Sequence, residues 1–317
     1  MRNLRRHLLE GGEVQAGLIQ AYRAAAQRAL LLDYDGTLVP FVEDPKLARP
    51  DAELLDLLRG LAAGAGNEVV IVSGRPRRDL EEWFGQLPLA LIAEHGVWLR
   101  SRGGEWRMLK ALTTEWKERV RPILQAYVDR LPGAWLEEKE FSLAWHYRRA
   151  DPEQASRRSR ELLDALAGRT RNVDVQVLEG NKVLEVRNTG VSKGTAATEW
   201  LGTLASEFVL AIGDDCTDED LFRALPTSAY SVRVGLAQTA ARYYVNSPRA
   251  VRRLLGALVG ESRFLDTLVA NGGRKPEGGV QKRDEGTTNA SKVAANEGWK
   301  VAATTLLAGI ASEGSNG

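Results

Sequence analysis

The chain has 317 residues, 44% hydrophobic and 27% charged, with a formal net charge of +1. That balance excludes a disordered or membrane-embedded bulk and gives no electrostatic reason to expect nucleic acid or an anionic lipid surface as partner. The single cysteine, Cys216, excludes an internal disulfide, and with three histidines it makes no recognised zinc spacing.

This length predicts about two domains. Near the start, the apolar pair Leu8-Leu9 is cut off by Glu10-Gly11-Gly12-Glu13, so no secretory leader is read there. Near the end, Val301–Ile310 is too short to cross a bilayer. The expected compartment is the cytoplasm.

Residues 14–28 have helical spacing, with Val14, Leu18, Tyr22 and Ala25 on one side. Ala29-Leu30-Leu31-Leu32, stopped by Asp33-Tyr34-Asp35-Gly36-Thr37, predicts a buried parallel strand running into a tight turn. Open α/β sheets bind ligands at such carboxyl ends. Asp33 and Asp35 are two apart, and in extended chain both carboxylates leave on one side and repel. One reading puts a hard divalent cation, Mg2+, between them; the other is an Asx-type turn that only reverses the chain. This segment alone does not separate the two.

After a loop with Pro40, Pro45 and Pro50, the pattern predicts a helix at 51–63 and a strand at 68–72 ending in Ser73-Gly74-Arg75. A helix at 76–84 and a strand at 89–93 ending in Glu94-His95-Gly96 follow. Strand and helix alternate, which predicts an α/β fold with a doubly wound parallel sheet. Beyond residue 100 the alternation stops. A helix at 113–130, a strand pair at 134–138 and 141–147, a helix at 151–167 and a second pair at 172–178 and 182–187 read as a separate α+β insert.

Alternation resumes with Ser192-Lys193-Gly194 opening a helix at 195–204, then a strand at 207–212 ending in Gly213-Asp214-Asp215-Cys216-Thr217-Asp218-Glu219-Asp220. Five acids in seven residues are more than the cap of the helix at 219–224 needs. Strands at 230–234 and 243–245 and a helix at 249–259 complete the core. The expected division is a core of residues 1–103 and 188–270, a cap of 104–187 and a flexible tail of 271–317, with one short helix at 299–310.

Two strands ending in acidic clusters suit metal-assisted phosphoryl transfer. With Ser73 and Lys193 in this order at these strand ends, the four pieces resemble the haloacid dehalogenase-like (HAD) phosphohydrolases. Within that superfamily, Leu31–Leu38, Ala93–Gly96, Phe141–Arg148, Lys182–Arg187 and Gly213–Glu219 resemble the trehalose-6-phosphate phosphatases. The resemblance implies a Rossmann-like HAD core with an inserted cap, and hydrolysis of trehalose 6-phosphate with Mg2+ as cofactor. It makes Asp33 the nucleophile and Asp35 the general acid and base, whose backbone carbonyl ligates the metal. Asp214 is a side-chain ligand beside Asp33, with Asp215 acting directly or through water. Ser73, Gly74, Thr37 and Lys193 would bind the phosphoryl group, with Asp218 holding Lys193.

Substrate choice is expected in the cap, with Glu94 and His95 of the core assisting. Glu137 and Lys139 share a strand face, and Arg148 lies just beyond the hairpin partner. With Lys182 and Glu185 they resemble the family's sugar-binding set, although a solvated sheet face is the competing reading. Lys182 and Glu185 are three apart, which strict alternation places on opposite faces. Trp135 and Trp145 read as cap core rather than a sugar platform. Sucrose-phosphate and mannosyl- or glucosyl-3-phosphoglycerate phosphatases keep the chemistry and change the sugar, and an idle regulatory module of a sugar-phosphate synthase is a reading of another class. The expected partners are a small sugar phosphate and, as a candidate, a trehalose-6-phosphate synthase, with no nucleic acid and no membrane.

Overall fold

A computed structural model describes residues 7–42, 47–170 and 173–260. The expected tail and its short helix lie outside the described residues. In chain order come β1 (His7–Leu8), α1 (Gly12–Ala24), β2 (Arg28–Leu32), α2 (Ala52–Ala63), β3 (Asn67–Val72), α3 (Arg77–Phe84) and β4 (Ala90–Ala93). Then follow β5 (Trp98–Arg100), β6 (Trp106–Met108), α4 (Trp116–Asp129), β7 (Trp135–Glu138), β8 (Ser142–His146), α5 (Pro152–Arg169), β9 (Val175–Gly180) and β10 (Val183–Asn188). The last elements are α6 (Lys193–Gly202), β11 (Phe208–Gly213), α7 (Cys216–Ala224), β12 (Tyr230–Val234), β13 (Tyr243–Val245) and α8 (Pro248–Val259).

Nine strands form one sheet in the order β1-β13-β12-β11-β2-β3-β4-β5-β6. Every pairing from β1 to β4 is parallel, and β4-β5 and β5-β6 are antiparallel. The apolar run of β2 explains its central place, because both of its faces are covered. Leu30 and Leu32 share a cluster with Leu18 of α1, Leu54 of α2 and Leu254 of α8, while Ala29 and Leu31 meet Ala196 and Trp200 of α6 and Leu221 of α7. All three leucines of β2 are fully buried, each contributing about 1.5–3 kcal/mol by burial. Because the strands are parallel, the segments after β2, β3, β4 and β11 emerge on one edge.

Four antiparallel strands form a second sheet, β7-β8-β10-β9. Leu143, Trp145, Leu184 and Val186 point to one face and join Trp116, Val120 and Leu124 of α4 and Leu162 and Leu166 of α5. The opposite face carries Trp135, Glu137, His146, Ser142, Glu185 and Arg187, as the register Trp135↔His146, Glu185↔Ala144 and Arg187↔Ser142 requires.

Four features differ from the sequence expectations. The first helix stops at Ala24, where Ala25 turns extended (ψ 139°), because Arg28 is already paired with Asn67 and Phe208. The main sheet runs on to Met108, past residue 103, through two three-residue strands whose mixed sequences, Trp-Leu-Arg and Trp-Arg-Met, carry no strand pattern. The helix after the acidic cluster starts at Cys216 rather than Glu219, with Asp215 as its cap. Finally, Lys182 is the corner of the β9–β10 hairpin, at φ 65°, instead of a strand residue. The parity conflict with Glu185 therefore does not arise.

Candidate active site

The turn after β2 is closed by its backbone. The carbonyl of Tyr34 accepts from the N–H groups of Thr37, Leu38 and Val39. Gly36 stands at φ 82°, and a Cβ there would lie 2.4 Å from Asp214 Oδ2, so only glycine lets this turn reach the acidic loop after β11. Thr37 Oγ1 donates to Asp214 Oδ1 at 3.3 Å.

Lys193, the first residue of α6, is 2% exposed. Its Nζ donates to Asp33 Oδ1 at 2.7 Å and to Asp218 Oδ1 at 2.8 Å. The Ser192–Thr195 capping box fixes where this helix begins, and so where the lysine enters. Asp218 Oδ2 accepts from the backbone N–H groups of Asp214 and Asp215 at 3.0 and 3.1 Å, which leaves neither of its oxygens without a donor. Asp215 caps α7, accepting from Thr217 N and Oγ1 and from Asp218 N.

Four carboxylates, those of Asp33, Asp214, Asp215 and Asp218, thus gather round one ammonium. Burial pushes the Asp33 carboxyl up, against the pull of Lys193. Burial and the neighbouring Asp33, Asp215 and Asp218 push Asp214 up to about 9. Burial opposes the charge of Asp215 too, but Lys193 and the Thr217 bond hold it down to about 2. Lys193 is likewise desolvated, yet Asp218 and Asp33 keep it well above its ordinary value.

Oxygens of Asp33, Asp214 and Asp218 lie within 4.8 Å of one another. Both oxygens of Asp218 are already engaged, whereas Asp33 Oδ2 is buried without a partner among the described residues. A buried anionic oxygen in this state is costly. Hard oxygen donors with excess negative charge suit Mg2+, and Asp33 and Asp214 are the side chains that would hold it.

Asp35 does not join this cluster. Both of its oxygens accept from Arg75, from Nε and Nη2, each at 2.7 Å. Arg75 lies over the Trp83 ring at 4.5 Å, and its backbone N–H donates to Ser73 Oγ at 3.2 Å. The side chain of Asp35 is therefore occupied by an arginine instead of an Asx turn. A position immediately after Ser73-Gly74 was the only sequence signal for Arg75, and that signal does not tell that β2 and β3 are neighbours.

Behind Ser73, Glu94 and His95 stand at φ 46° and 56°, a left-handed pair of non-glycine residues, and such strain collects at functional sites. The His95 ring lies where a Cβ on Gly74 would fall, 2.3 Å away, so glycine at 74 makes room for it. From there a charged network crosses to the second sheet. His95 Nε2 meets Glu185 Oε2 at 3.1 Å, and Glu185 Oε1 accepts from Lys139 Nζ at 3.1 Å and Ser142 Oγ at 2.7 Å. Glu94 Oε2 accepts from Phe141 N–H at 3.1 Å, and Glu137 Oε2 pairs with His146 Nε2 at 2.8 Å. Arg148 is exposed, donates to the Asn181 carbonyl and lies 5.5 Å from the Phe41 ring. Lys182 is exposed at its corner. Glu94, His95, Lys139 and Glu185 thus meet where the sheets adjoin; Glu137, Arg148 and Lys182 lie further out. Burial and then Glu185 act in opposite senses on His95, and burial wins, lowering it. Burial is overcome at Glu185, where Lys139 and His95 hold the carboxyl well below its ordinary value.

This fold, with its acids at the ends of β2 and β11, is that of the HAD-like hydrolases. A haloacid dehalogenase-like hydrolase from Bacteroides thetaiotaomicron superposes with a TM-score of 0.53 at 17% identity, over 73% of this chain and 99% of that one. The family model for trehalose-phosphatase matches residues 31–249, and the chain belongs to that family. It is 44% identical over 237 residues to the bifunctional trehalose-6-phosphate synthase/phosphatase of Thermoproteus tenax, covering 75% of this chain and 32% of that protein. It is 34% identical over 288 residues to the trehalose-phosphatase of Saccharomyces cerevisiae, with 77% and 32% covered. The chain thus spans about a third of the length of these relatives. The C-terminal domain of the Candida albicans trehalose-6-phosphate phosphatase matches with a TM-score of 0.76 and 33% identity, over 81% of this chain and 99% of that one. No helix among the described residues is long and apolar enough to cross a membrane.

Proposed function

We propose that this chain is a Mg2+-dependent phosphatase that hydrolyses trehalose 6-phosphate to trehalose and phosphate through an aspartyl-phosphate. The observation that carries this reading is Lys193 clamped between Asp33 and Asp218 beside Asp214, with one buried Asp33 oxygen unbonded. Mg2+, held by Asp33, Asp214 and the backbone carbonyl of Asp35, would neutralise charge between the nucleophile and the phosphate.

Asp33 attacks phosphorus, and the bond from phosphorus to the sugar oxygen breaks. Asp35 gives that oxygen a proton, then takes one from the water that cleaves the aspartyl-phosphate. To reach either oxygen Asp35 must leave Arg75, since both of its oxygens are bonded there. Lys193, Ser73, Gly74 and Thr37 orient the phosphoryl group, and Asp218 holds Lys193. Asp215 serves mainly as the cap that begins α7. The four-stranded sheet with α4 and α5 is the cap, and Glu94, His95, Glu137, Lys139, Arg148, Lys182 and Glu185 contact the sugar. The name of the Thermoproteus tenax relative joins a synthase to a phosphatase, which supports a trehalose-6-phosphate synthase as neighbour or partner of this chain. The cytoplasm remains the proposed compartment.

The test is phosphate release from a panel of sugar phosphates, with Mg2+ or EDTA, by wild type and Asp33→Asn. The expected result is release from trehalose 6-phosphate far above the rest, lost with EDTA and in the variant. Equal release from many sugars would remove the named substrate, and no release from any would overturn the enzyme.

A further inference from the structure

Trp135 does not belong to the core of the cap. Its neighbour Leu136 is paired with Trp145 and packs toward α4 and α5, whereas Trp135 itself is paired with His146 on the opposite face. That face also carries Glu137, Ser142, Glu185 and Arg187, and Glu185 on it reaches His95 of the main sheet, so the face looks toward the catalytic edge. The indole is half-buried and lies parallel to the His146 imidazole, with centroids 4.2 Å and planes 9° apart. His146 is fixed in turn by Glu137 at 2.8 Å. Among the described residues the indole has no second ring partner, and it joins none of the hydrophobic clusters.

A rigid aromatic held off the core keeps apolar surface in water unless something covers it. The neighbours here favour a sugar. An aromatic face suits the C–H face of a pyranose, while Glu137 on the same strand face, and Lys139 further along it, can bond hydroxyls in the plane of the ring. Position decides which ring. Lys139 and Glu185 join His95, which packs on Gly74 next to Ser73, so they lie at the phosphate end. Trp135 is four residues back from Lys139, a distance of about 13 Å at the rise of a strand. A wall of that length accommodates two sugar rings in a row.

We propose that the Trp135–His146 stack is the subsite for the sugar ring remote from the phosphate, and that it makes a disaccharide phosphate a better substrate than a monosaccharide phosphate. This rests on the sugar-phosphatase reading above. The experiment compares kcat/KM for trehalose 6-phosphate and glucose 6-phosphate in wild type, Trp135→Ala and Trp135→Phe. In the alanine variant the ratio of the two constants is expected to fall about tenfold, mainly through KM of the disaccharide, and phenylalanine restores most of it. A wild type that prefers the disaccharide and an alanine variant that keeps the preference would overturn the subsite and leave the proposed function standing. A wild type with no preference would sink both. Should Trp135→Ala lose its fold by circular dichroism, His146→Ala decides, because it removes the stack and keeps the indole: a reduced ratio supports the subsite and an unchanged one overturns it.

Discussion

Asp218→Asn should undermine the site from beneath without removing a reacting atom. Asp218 accepts on both sides, from Lys193 through Oδ1 and from the N–H groups of Asp214 and Asp215 through Oδ2. An asparagine has one acceptor oxygen and one NH2. Turned one way its NH2 faces the Lys193 ammonium, and turned the other way it faces two backbone N–H groups. Either way donor meets donor at a fully buried position. A hydrogen bond to a charged group contributes about 1.5–3 kcal/mol, and removing one partner of a buried ion pair costs about 3–5 kcal/mol. Lys193 keeps Asp33 at 2.7 Å, so the lower end applies, about 3 kcal/mol. At about 2–4 °C per kcal/mol for a chain of this size, the melting temperature should drop by about 6–12 °C.

Asp33→Asn is the matched control. Its amide oxygen can keep the bond from Lys193, and the NH2 takes the place of Oδ2, which has no partner to lose. The substitution also removes one negative charge beside Asp214. Thermal unfolding at fixed pH and salt should show an unchanged or higher midpoint for Asp33→Asn with phosphate release abolished, and a lower midpoint for Asp218→Asn. A midpoint for Asp218→Asn within about 2 °C of wild type would refute the account of Asp218 as a two-sided acceptor.

Gly74→Ala should drive His95 off Glu185, since the new Cβ would fall 2.3 Å from the ring; a rise of about tenfold in KM for the sugar phosphate, with the fold intact by circular dichroism, is expected, and an unchanged KM would count against it. Acid should weaken the cap junction. His95 is lowered from its ordinary 6.5, chiefly by burial, so as pH falls below that value the unfolded chain binds the proton first and this contribution to stability declines. Glu185, depressed by Lys139 and His95 against its burial, contributes fully above 4.5 and loses its contribution at still lower pH. His95→Gln should flatten the upper part of that decline in a pH series of unfolding midpoints, and a parallel curve would refute the assignment. Mg2+ at about a hundred times its Kd should stabilise wild type by about 2.7 kcal/mol. Asp214→Asn should show a much smaller calorimetric shift, and an equal shift would place the ion elsewhere.

The parallel core was legible because runs such as Ala29–Leu32 and Phe208–Ile212 are apolar on both faces and end abruptly in acids. Lys193 and Asp218 were legible through family resemblance, since 25 positions separate them in the chain and only the fold brings them into contact. Short strands were not: His7–Leu8, Trp98–Arg100 and Trp106–Met108 exist because a neighbouring strand offers its edge, and their own residues do not demand extension. Lys182 was misplaced by one residue because Gly180 and Asn181 announce the corner early, whereas β9 runs through Gly180 and the chain turns at Asn181 and a left-handed Lys182. Trp135 was the instructive miss. Its spacing of two from Glu137 puts it on the polar face in spite of its hydrophobicity, and Trp135 and Trp145 point to opposite sides of one sheet.

β1 pairs only two residues, His7↔Tyr243 and Leu8↔Tyr244, with Leu9 N–H donating beyond them to the Tyr244 carbonyl. That short stretch is nevertheless what covers β13, the strand next to the edge on its side of the sheet. Without it, the Tyr-Tyr-Val run of β13 would present open backbone groups between aromatic side chains, the kind of surface on which a second molecule adds a strand. An expression version begun at Leu9 would give up, among the described residues, only two exposed ones while Leu9 keeps its place in the core, trading a small loss of folded contacts for a sticky rim. Its tendency to self-associate with rising concentration, rather than its melting temperature, is where the cost of those few residues would be felt.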